Sequence, residues 1–151
     1  MAFAGTFYQV PATHFEPKPV QRPHPPLLLG GYHDAVLRRA AQLADGYTVG
    51  NIPLADVPGV VGRVRRAVAE AGRDLVRFAV VARGSYHVTA AAFAAAVRRP
   101  LWGTIAEIRE DIARFAEAGV TQLFLEPNFQ PGGAALDHVL EHLEALAPPA
   151  R

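Results

Sequence analysis

The sequence predicts a parallel α/β fold, and three observations carry this prediction. Short apolar runs alternate with amphipathic helical stripes four times after residue 26. The run from Val76 to Ala82 is almost continuously apolar, which is typical of a strand buried on both faces. Glycines stand where strands pass into helices. Right-handed crossovers then lay the four strands side by side, with the helices outside.

The first 26 residues differ from the rest. The aromatic and β-branched residues from Phe3 to Val10 predict a short strand. Six prolines between Pro11 and Pro26 exclude a helix and predict an extended connector. We therefore divide the chain into a strand and Pro-rich connector over 1–26 and one α/β domain over 27–151.

The first two units follow the connector. A strand from Leu27 to Leu29 ends at Gly30-Gly31, and a helix runs from about Asp34 to Ala44. The second strand covers Tyr47 to Val49, and Asp56 is the predicted N-cap of the next helix. The buried stripe of that helix has 3.6-residue spacing and comprises Val60, Val61, Val64, Val68 and Ala71.

The third and fourth units carry the strongest helix signal. A small-residue helix is predicted from about Thr89 to Val97, after the strand Val76 to Ala82. Thr104 and Glu107 form a capping box, and Gly119 suits the left-handed residue that ends a helix. The predicted buried face is Ile105, Ile108, Ile112 and Phe115. A strand from Val120 to Leu125 and a helix from about Ala134 to Leu146 complete the series.

Four βα units are half of a (β/α)8 barrel. The chain has 151 residues, whereas a complete barrel typically needs about 250. Half a barrel leaves two parallel edge strands and an open inner face. We expect either the strand from Phe3 to Val10 or a second chain to cover an edge.

Composition excludes several classes of function. The net charge is +1 without a basic run, so we expect no nucleic-acid or membrane partner. The absence of cysteine excludes disulfides, thiolate nucleophiles and Cys-ligated zinc. The sequence opens without a leader pattern and has no apolar run near the ~20 residues that a transmembrane helix needs, which predicts a cytoplasmic protein.

Chemistry is expected where strands end and helices begin. Gly30 and Gly31, followed by Tyr32 and His33, allow a tight turn in which a phosphate reaches free N–H groups at the positive end of a helix. The alternative is that these glycines only turn the chain. Arg83 offers a second phosphate or carboxylate contact, although an ion pair with Glu126 is the favoured interpretation.

Other polar groups carry weaker signals. Ser85 and His87 lack a third orienting group, so a nucleophile and base are not favoured. His138 and His142 are four apart, as a metal pair would be, but lie off the apolar stripe of Leu136, Val139, Leu140, Leu143 and Leu146 and are expected to face solvent. Trp102 is expected to fill the gap before the capped helix; stacking on a flavin is the alternative.

Several segments together resemble luciferase-like monooxygenases. Pro19 to Tyr47 reads PVQRPHPPLLLGGYHDAVLRRAAQLADGY, which is similar to the family's fifth strand, Gly-Gly turn and helix into the sixth strand. Further matches are Ala71 to Asp74, Gly103 to Glu107 and Gly119 to Leu125. The resemblance covers nearly the whole chain. It implies half of a TIM (β/α)8 barrel whose four units correspond to strands 5 to 8.

The resemblance also implies a function. Family members are oxidoreductases in which a reduced flavin (FMN) or deazaflavin (coenzyme F420) passes a hydride to a small-molecule substrate or, with flavin, activates dioxygen. The cofactor phosphate maps onto Gly30 and Gly31 and the backbone at Tyr32 and His33. Tyr32 replaces a small polar residue that often follows the glycines in the family.

The family's strands one to four have no counterpart in this sequence. The resemblance therefore implies a truncated member, or a homodimer or a partner polypeptide that completes the site. The alternative is a non-catalytic half-barrel that binds a phosphorylated ligand or dimerises.

Overall fold

The computed structural model describes residues 2–14, 16–94, 98–128 and 135–147. In chain order, its elements are β1 (Phe3–Ala4), β2 (Gln9–Val10), β3 (Leu28–Gly30), α1 (Asp34–Leu43), β4 (Gly46–Gly50), a 3₁₀ turn (Leu54–Asp56), α2 (Val57–Glu70), β5 (Ala79–Ser85), β6 (His87–Val88), β7 (Trp102–Gly103), α3 (Ile105–Glu117), β8 (Gln122–Glu126) and α4 (Leu136–Leu146).

A four-stranded sheet in the order β3-β4-β5-β8 lies at the centre, and all three of its pairings are parallel. One face packs against the helices and carries the core, including Tyr47, Val49, Val80 and Ala82. Because strand side chains alternate between faces, Arg83 and Phe124 lie on the opposite face, where Phe124 is 59% exposed. The parallel α/β fold and the partial barrel are therefore confirmed.

Helix α3 follows its prediction closely. Thr104 accepts a hydrogen bond from the Glu107 amide and the Glu107 carboxylate accepts one from the Thr104 amide, which completes the capping box. Gly119 follows the helix with a φ of +95°, a conformation that favours glycine. Ile108 and Phe115 are buried, and Ile105 and Ile112 pack against the same core.

The prediction of one strand from Phe3 to Val10 is wrong. The segment is an antiparallel hairpin in which Phe3 pairs with Val10, and the Gly5 amide donates to the Tyr8 carbonyl across the turn (2.9 Å). The glycine interrupts the apolar run and lets the chain reverse. The hairpin forms a sheet of its own and covers neither edge of the central sheet.

The third unit also differs from its prediction. The strand begins at Ala79 instead of Val76, because Asp74 caps the Val76 amide in a turn (2.9 Å) and leaves Val76 exposed. The helix expected from Thr89 is absent over residues 89–94; positions 95–97 lie outside the described residues. Tertiary pairing overrides the helix propensity of the alanines, since β6 pairs in parallel with β7 and the Thr89 amide donates to the Gly103 carbonyl.

Two helix details need correction. Asp56 occupies the N-cap position of α2 but makes no side-chain cap, because the preceding 3₁₀ turn holds it in a helical conformation. The apolar stripe of α4 was predicted to be buried. Leu146 is buried, whereas Leu136, Leu140 and Leu143 are exposed.

Candidate functional site

The Gly30-Gly31 turn lies at the carboxyl end of β3 and is bonded to β4. A Cβ at Gly30 would lie 2.8 Å from the Thr48 carbonyl oxygen, so the two strands approach too closely for a side chain there. The buried Tyr47 hydroxyl donates to the Gly31 carbonyl, and the Tyr32 hydroxyl donates to the Gly50 carbonyl at 2.8 Å. Burial raises the pKa of Tyr47 and so maintains its hydroxyl as a donor.

The turn leads directly into the N-terminus of α1. The His33 imidazole Nδ1 accepts a hydrogen bond from the Ala35 amide (3.2 Å) and caps the helix. The backbone amides of Tyr32, His33 and Asp34 donate no hydrogen bond to any described residue. The Asp34 carboxylate lies 3.6 Å from Arg63 Nη1, which offsets its charge beside these amides. The turn therefore offers three N–H donors at the positive end of a helix.

Arg83 lies on the open face of β5. Its Nη1 is 3.4 Å from Glu126 Oε1 on the neighbouring strand, so the ion pair favoured from the sequence is present. The guanidinium also packs beside Gly50, where a Cβ would lie 3.3 Å from Arg83 Nε. Glu126 therefore holds the Arg83 guanidinium near the carboxyl ends of the strands, where the glycine turn also lies.

A cavity of about 560 Å³ opens at the carboxyl ends of β4 and β5. Its volume lies in the range of roughly 300–1,000 Å³ typical of small-molecule sites. Apolar groups form much of the wall, with an amide, a hydroxyl and guanidinium groups around them. The lining comprises Val49, Asn51, Ile52, Pro53, Ala82, Arg83, Gly84, Ser85, Arg98, Arg99, Pro100, Leu101, Trp102 and Phe115.

One wall of the cavity is fixed by a buried ion pair. Arg98 donates from Nη1 and Nη2 to the two carboxylate oxygens of Asp111 at 2.7 and 2.8 Å. The same carboxylate accepts the Leu101 amide at 2.8 Å, and Arg98 also donates to the Trp102 carbonyl at 3.0 Å. The hydrogen bond to Asp111 raises the pKa of Arg98. The pair ties residues 98–102 to α3 and holds the wall in place.

This pair was not anticipated, although the sequence contains a signal for it. Asp111 lies three residues after Ile108 and four before Phe115, which places an acid on the apolar face of α3. A fully buried carboxylate requires a charged partner. The sequence alone leaves open which arginine that partner is.

Two cavity residues have a positive φ. Asn51 has a φ of +52° and Leu101 a φ of +65°, and they are the two non-glycine residues with positive φ in the described chain. The buried Leu101 side chain lies over Gly84, where a Cβ would overlap it. A branched-chain residue in this conformation is unusual, and such strain clusters at ligand sites.

An aromatic cluster borders the same cavity. The Trp102 indole donates to the Ser85 carbonyl (3.1 Å), stacks on the His87 ring with centroids 5.0 Å apart, and lies 5.1 Å below the Arg99 guanidinium. Ser85 contributes its carbonyl to this arrangement and His87 its ring face. A nucleophile-and-base interpretation of this pair gains no support from these contacts.

The two histidines of α4 differ in exposure. His138 is exposed, whereas His142 is half-buried and meets the Tyr86 ring edge-on with centroids 6.0 Å apart, which corrects the expectation that both face solvent. In the described part of the chain no three His, Cys, Asp or Glu side chains are grouped to hold a metal ion. No helix there has the length and apolarity to span a membrane.

Residues 1–99 match the luciferase-like monooxygenase family, which is 99 of the 151 positions. The chain belongs to this family. Uncharacterized proteins of Mycobacterium tuberculosis and Mycobacterium bovis are 42% identical to it over 71 residues, 47% of this chain and 24% of each relative. The aligned part of this luciferase-like protein thus spans about a quarter of those relatives.

Solved structures share its fold at low identity. An F420-dependent secondary alcohol dehydrogenase bound to an F420-acetone adduct matches 98% of this chain and 56% of its own, with a TM-score of 0.72 at 16% identity. A long-chain alkane monooxygenase matches 95% of this chain and 44% of its own, with a TM-score of 0.65 at 14% identity. A riboflavin lyase with modified FMN matches 95% of this chain and 48% of its own, with a TM-score of 0.63 at 15% identity. The luciferase-like chain covers about half of each.

Proposed function

We propose that this luciferase-like chain carries the cofactor-phosphate end of a flavin- or deazaflavin-dependent oxidoreductase. One observation carries the proposal. The family match includes the Gly30-Gly31 turn, which precedes three amides that have no acceptor among the described residues, at the start of α1. Such amides and the helix dipole favour a phosphate. FMN and coenzyme F420 both carry one, so the site fits either cofactor.

The chain's own residues would hold the cofactor by its phosphate. The amides of Tyr32, His33 and Asp34 supply donors, while the Tyr47 hydroxyl fixes the turn against β4. Arg83 offers a second contact if the phosphate competes with Glu126 for its guanidinium. The bound cofactor would supply hydride transfer, and the protein supplies binding and orientation.

We further propose that a second copy completes the site. In the described chain β3 and β8 each pair on one side only. Exposed apolar side chains lie on several elements near these strands: Leu27 and Leu28 at β3, Leu43 at the end of α1, Phe124 on β8, and Leu136, Leu140 and Leu143 on α4. A two-fold axis would bring β8 of each copy to β3 of the other and close eight strands.

A non-catalytic half-barrel is the second candidate. The exposed Phe124 and the strand edges that lack a partner among the described residues favour it, because a single copy leaves this face of the sheet open. In that case the chain would bind a phosphorylated ligand or dimerise without turnover.

Ligand pairs in which only one member carries a phosphate test the leading proposal. We would titrate the chain with FMN and with riboflavin, and with F420 and its phosphate-free deazaflavin, while light scattering gives the mass. We expect each phosphorylated member to bind at least about 10-fold more tightly, to a dimer. Equal binding of each pair contradicts the phosphate site. If FMN or F420 binds but no substrate is reduced, the non-catalytic half-barrel is favoured.

Variants locate the binding. Gly31→Val should abolish the preference for phosphate, and Gly62→Val on the open surface of α2 is the matched control. A Cβ at Gly31 would lie 3.3 Å from Val36 Cγ1, so the variant also presses on α1. Circular dichroism must therefore show unchanged helix content. Unchanged affinity for FMN in folded Gly31→Val would remove the proposal.

A further inference from the structure

We propose that the 560 Å³ cavity at the ends of β4 and β5 binds a small apolar carboxylate, and that Arg99 receives the carboxylate group. The assignment rests on the proposed function, because it names the chemical class of substrate for that oxidoreductase. It concerns a cavity lined by residues 49, 51–53, 82–85, 98–102 and 115, and neither glycine of the Gly30-Gly31 turn is on that lining.

The charges around the cavity single out Arg99. Arg98 is bound to the buried Asp111 by two hydrogen bonds, and Arg83 lies 3.4 Å from Glu126. Arg99 is exposed and forms no ion pair with any described residue. Its guanidinium rests 5.1 Å from the Trp102 ring centroid, which limits its motion while leaving its N–H donors to a ligand. A carboxylate matches the fork of donors that arginine presents.

The rest of the wall selects an apolar body. Ile52, Pro53, Leu101 and Phe115 supply aliphatic and aromatic surface, and Phe115 is 4% exposed. Neutral polar side chains on the lining are few, namely Asn51 and Ser85. A sugar or a nucleoside would lose many hydrogen bonds with water here. A ligand with one charged end and an apolar remainder loses few such hydrogen bonds.

The wall is also held in place before a ligand arrives. The Asp111 carboxylate fixes the Leu101 amide, and Leu101 keeps a strained φ of +65°. Asn51, also on the cavity lining, has a positive φ of +52°. Rigid walls lower the ordering cost of binding, and strain of this kind concentrates at ligand sites.

The chain has one tryptophan, Trp102, so its fluorescence reports directly on this cavity. We would titrate the full chain, without any flavin, with phenylacetate and phenylacetamide and with hexanoate and hexanamide. Isothermal calorimetry provides a second measure of affinity. We expect each carboxylate to bind at least about 10-fold more tightly than its amide.

Arg99→Gln should remove that preference, while Arg66→Gln, which changes an exposed arginine on α2, should keep it. Equal affinity for acids and amides, no binding of either acid at millimolar concentration, or an unchanged preference in folded Arg99→Gln would overturn the assignment. Since no flavin is present, failure here is separate from failure of the FMN and riboflavin comparison.

Discussion

Helices α3 and α4 have similar amphipathic sequences, but the fold covers the apolar face of α3 and, on α4, buries only Leu146 at its end. On α3, Ile108 is 0% and Phe115 4% exposed, and the first turn is closed by a capping box. On α4, Leu136 is 68% and Leu140 49% exposed, and Ala135 provides no side-chain cap. Periodicity shows which face of a helix is apolar. Whether that face is covered depends on a neighbour that lies elsewhere in the chain or in another chain.

The largest effect is expected at the buried acid of α3. Asp111→Ala should lower the free energy of unfolding by about 3–5 kcal/mol, because it leaves Arg98 without its partner and the Leu101 amide without its acceptor. Chemical denaturation measures the loss. Glu110→Ala, at the exposed neighbouring position, should cost no more than about 0.5 kcal/mol. Equal losses would show that Asp111 is not an anchor.

The second prediction compares the two apolar faces directly. Ile108→Ala should cost about 2–5 kcal/mol, because it opens a cavity in a fully buried position. Leu140→Ala on α4 should stay within about 0.5 kcal/mol at protein concentrations where the chain is monomeric. Thermal and urea unfolding would measure both. A large loss for Leu140→Ala would mean that α4 is covered within the single chain.

A smaller effect is expected at the helix start. Thr104→Ala should destabilise the protein by about 1 kcal/mol, since it removes the hydrogen bond to the Glu107 amide. Thr104→Ser retains a hydroxyl acceptor and should recover most of the loss. If Thr104→Ala and Thr104→Ser are equally stable in urea, the capping box contributes little.

Substitution of the exposed leucines is expected to change stability least. It should instead weaken the association of two copies. The double variant Leu136→Ser/Leu140→Ser should leave the unfolding free energy of dilute protein within about 0.5 kcal/mol. Light scattering at high concentration should show a lower dimer fraction than in the parent. The exposed Glu141→Gln change on the same helix is the control. An unchanged dimer fraction would place the interface elsewhere.

Part of the candidate site followed from the sequence. The Gly30-Gly31 turn was expected between a strand and a helix, and it lies between β3 and α1. The pairing of Arg83 with Glu126 was expected as well. The cavity wall over residues 98–102 was not, because Asp111 of α3 holds it through contacts that local helix propensity does not encode. The phosphate role of Gly30, Gly31, Tyr32, His33 and Arg83 stays a prediction until ligands are measured.

The sequence by itself determined the features that depend on neighbours within a few residues. These are the alternation of strands and helices, the capping box at Thr104 and the glycine at the end of α3, all set by periodicity and local hydrogen bonding. Only the tertiary structure decided that β6 pairs with β7, that Arg98 binds Asp111, and that Leu136, Leu140 and Leu143 of α4 stay exposed. Each depends on segments distant in the chain, whose approach local periodicity does not encode.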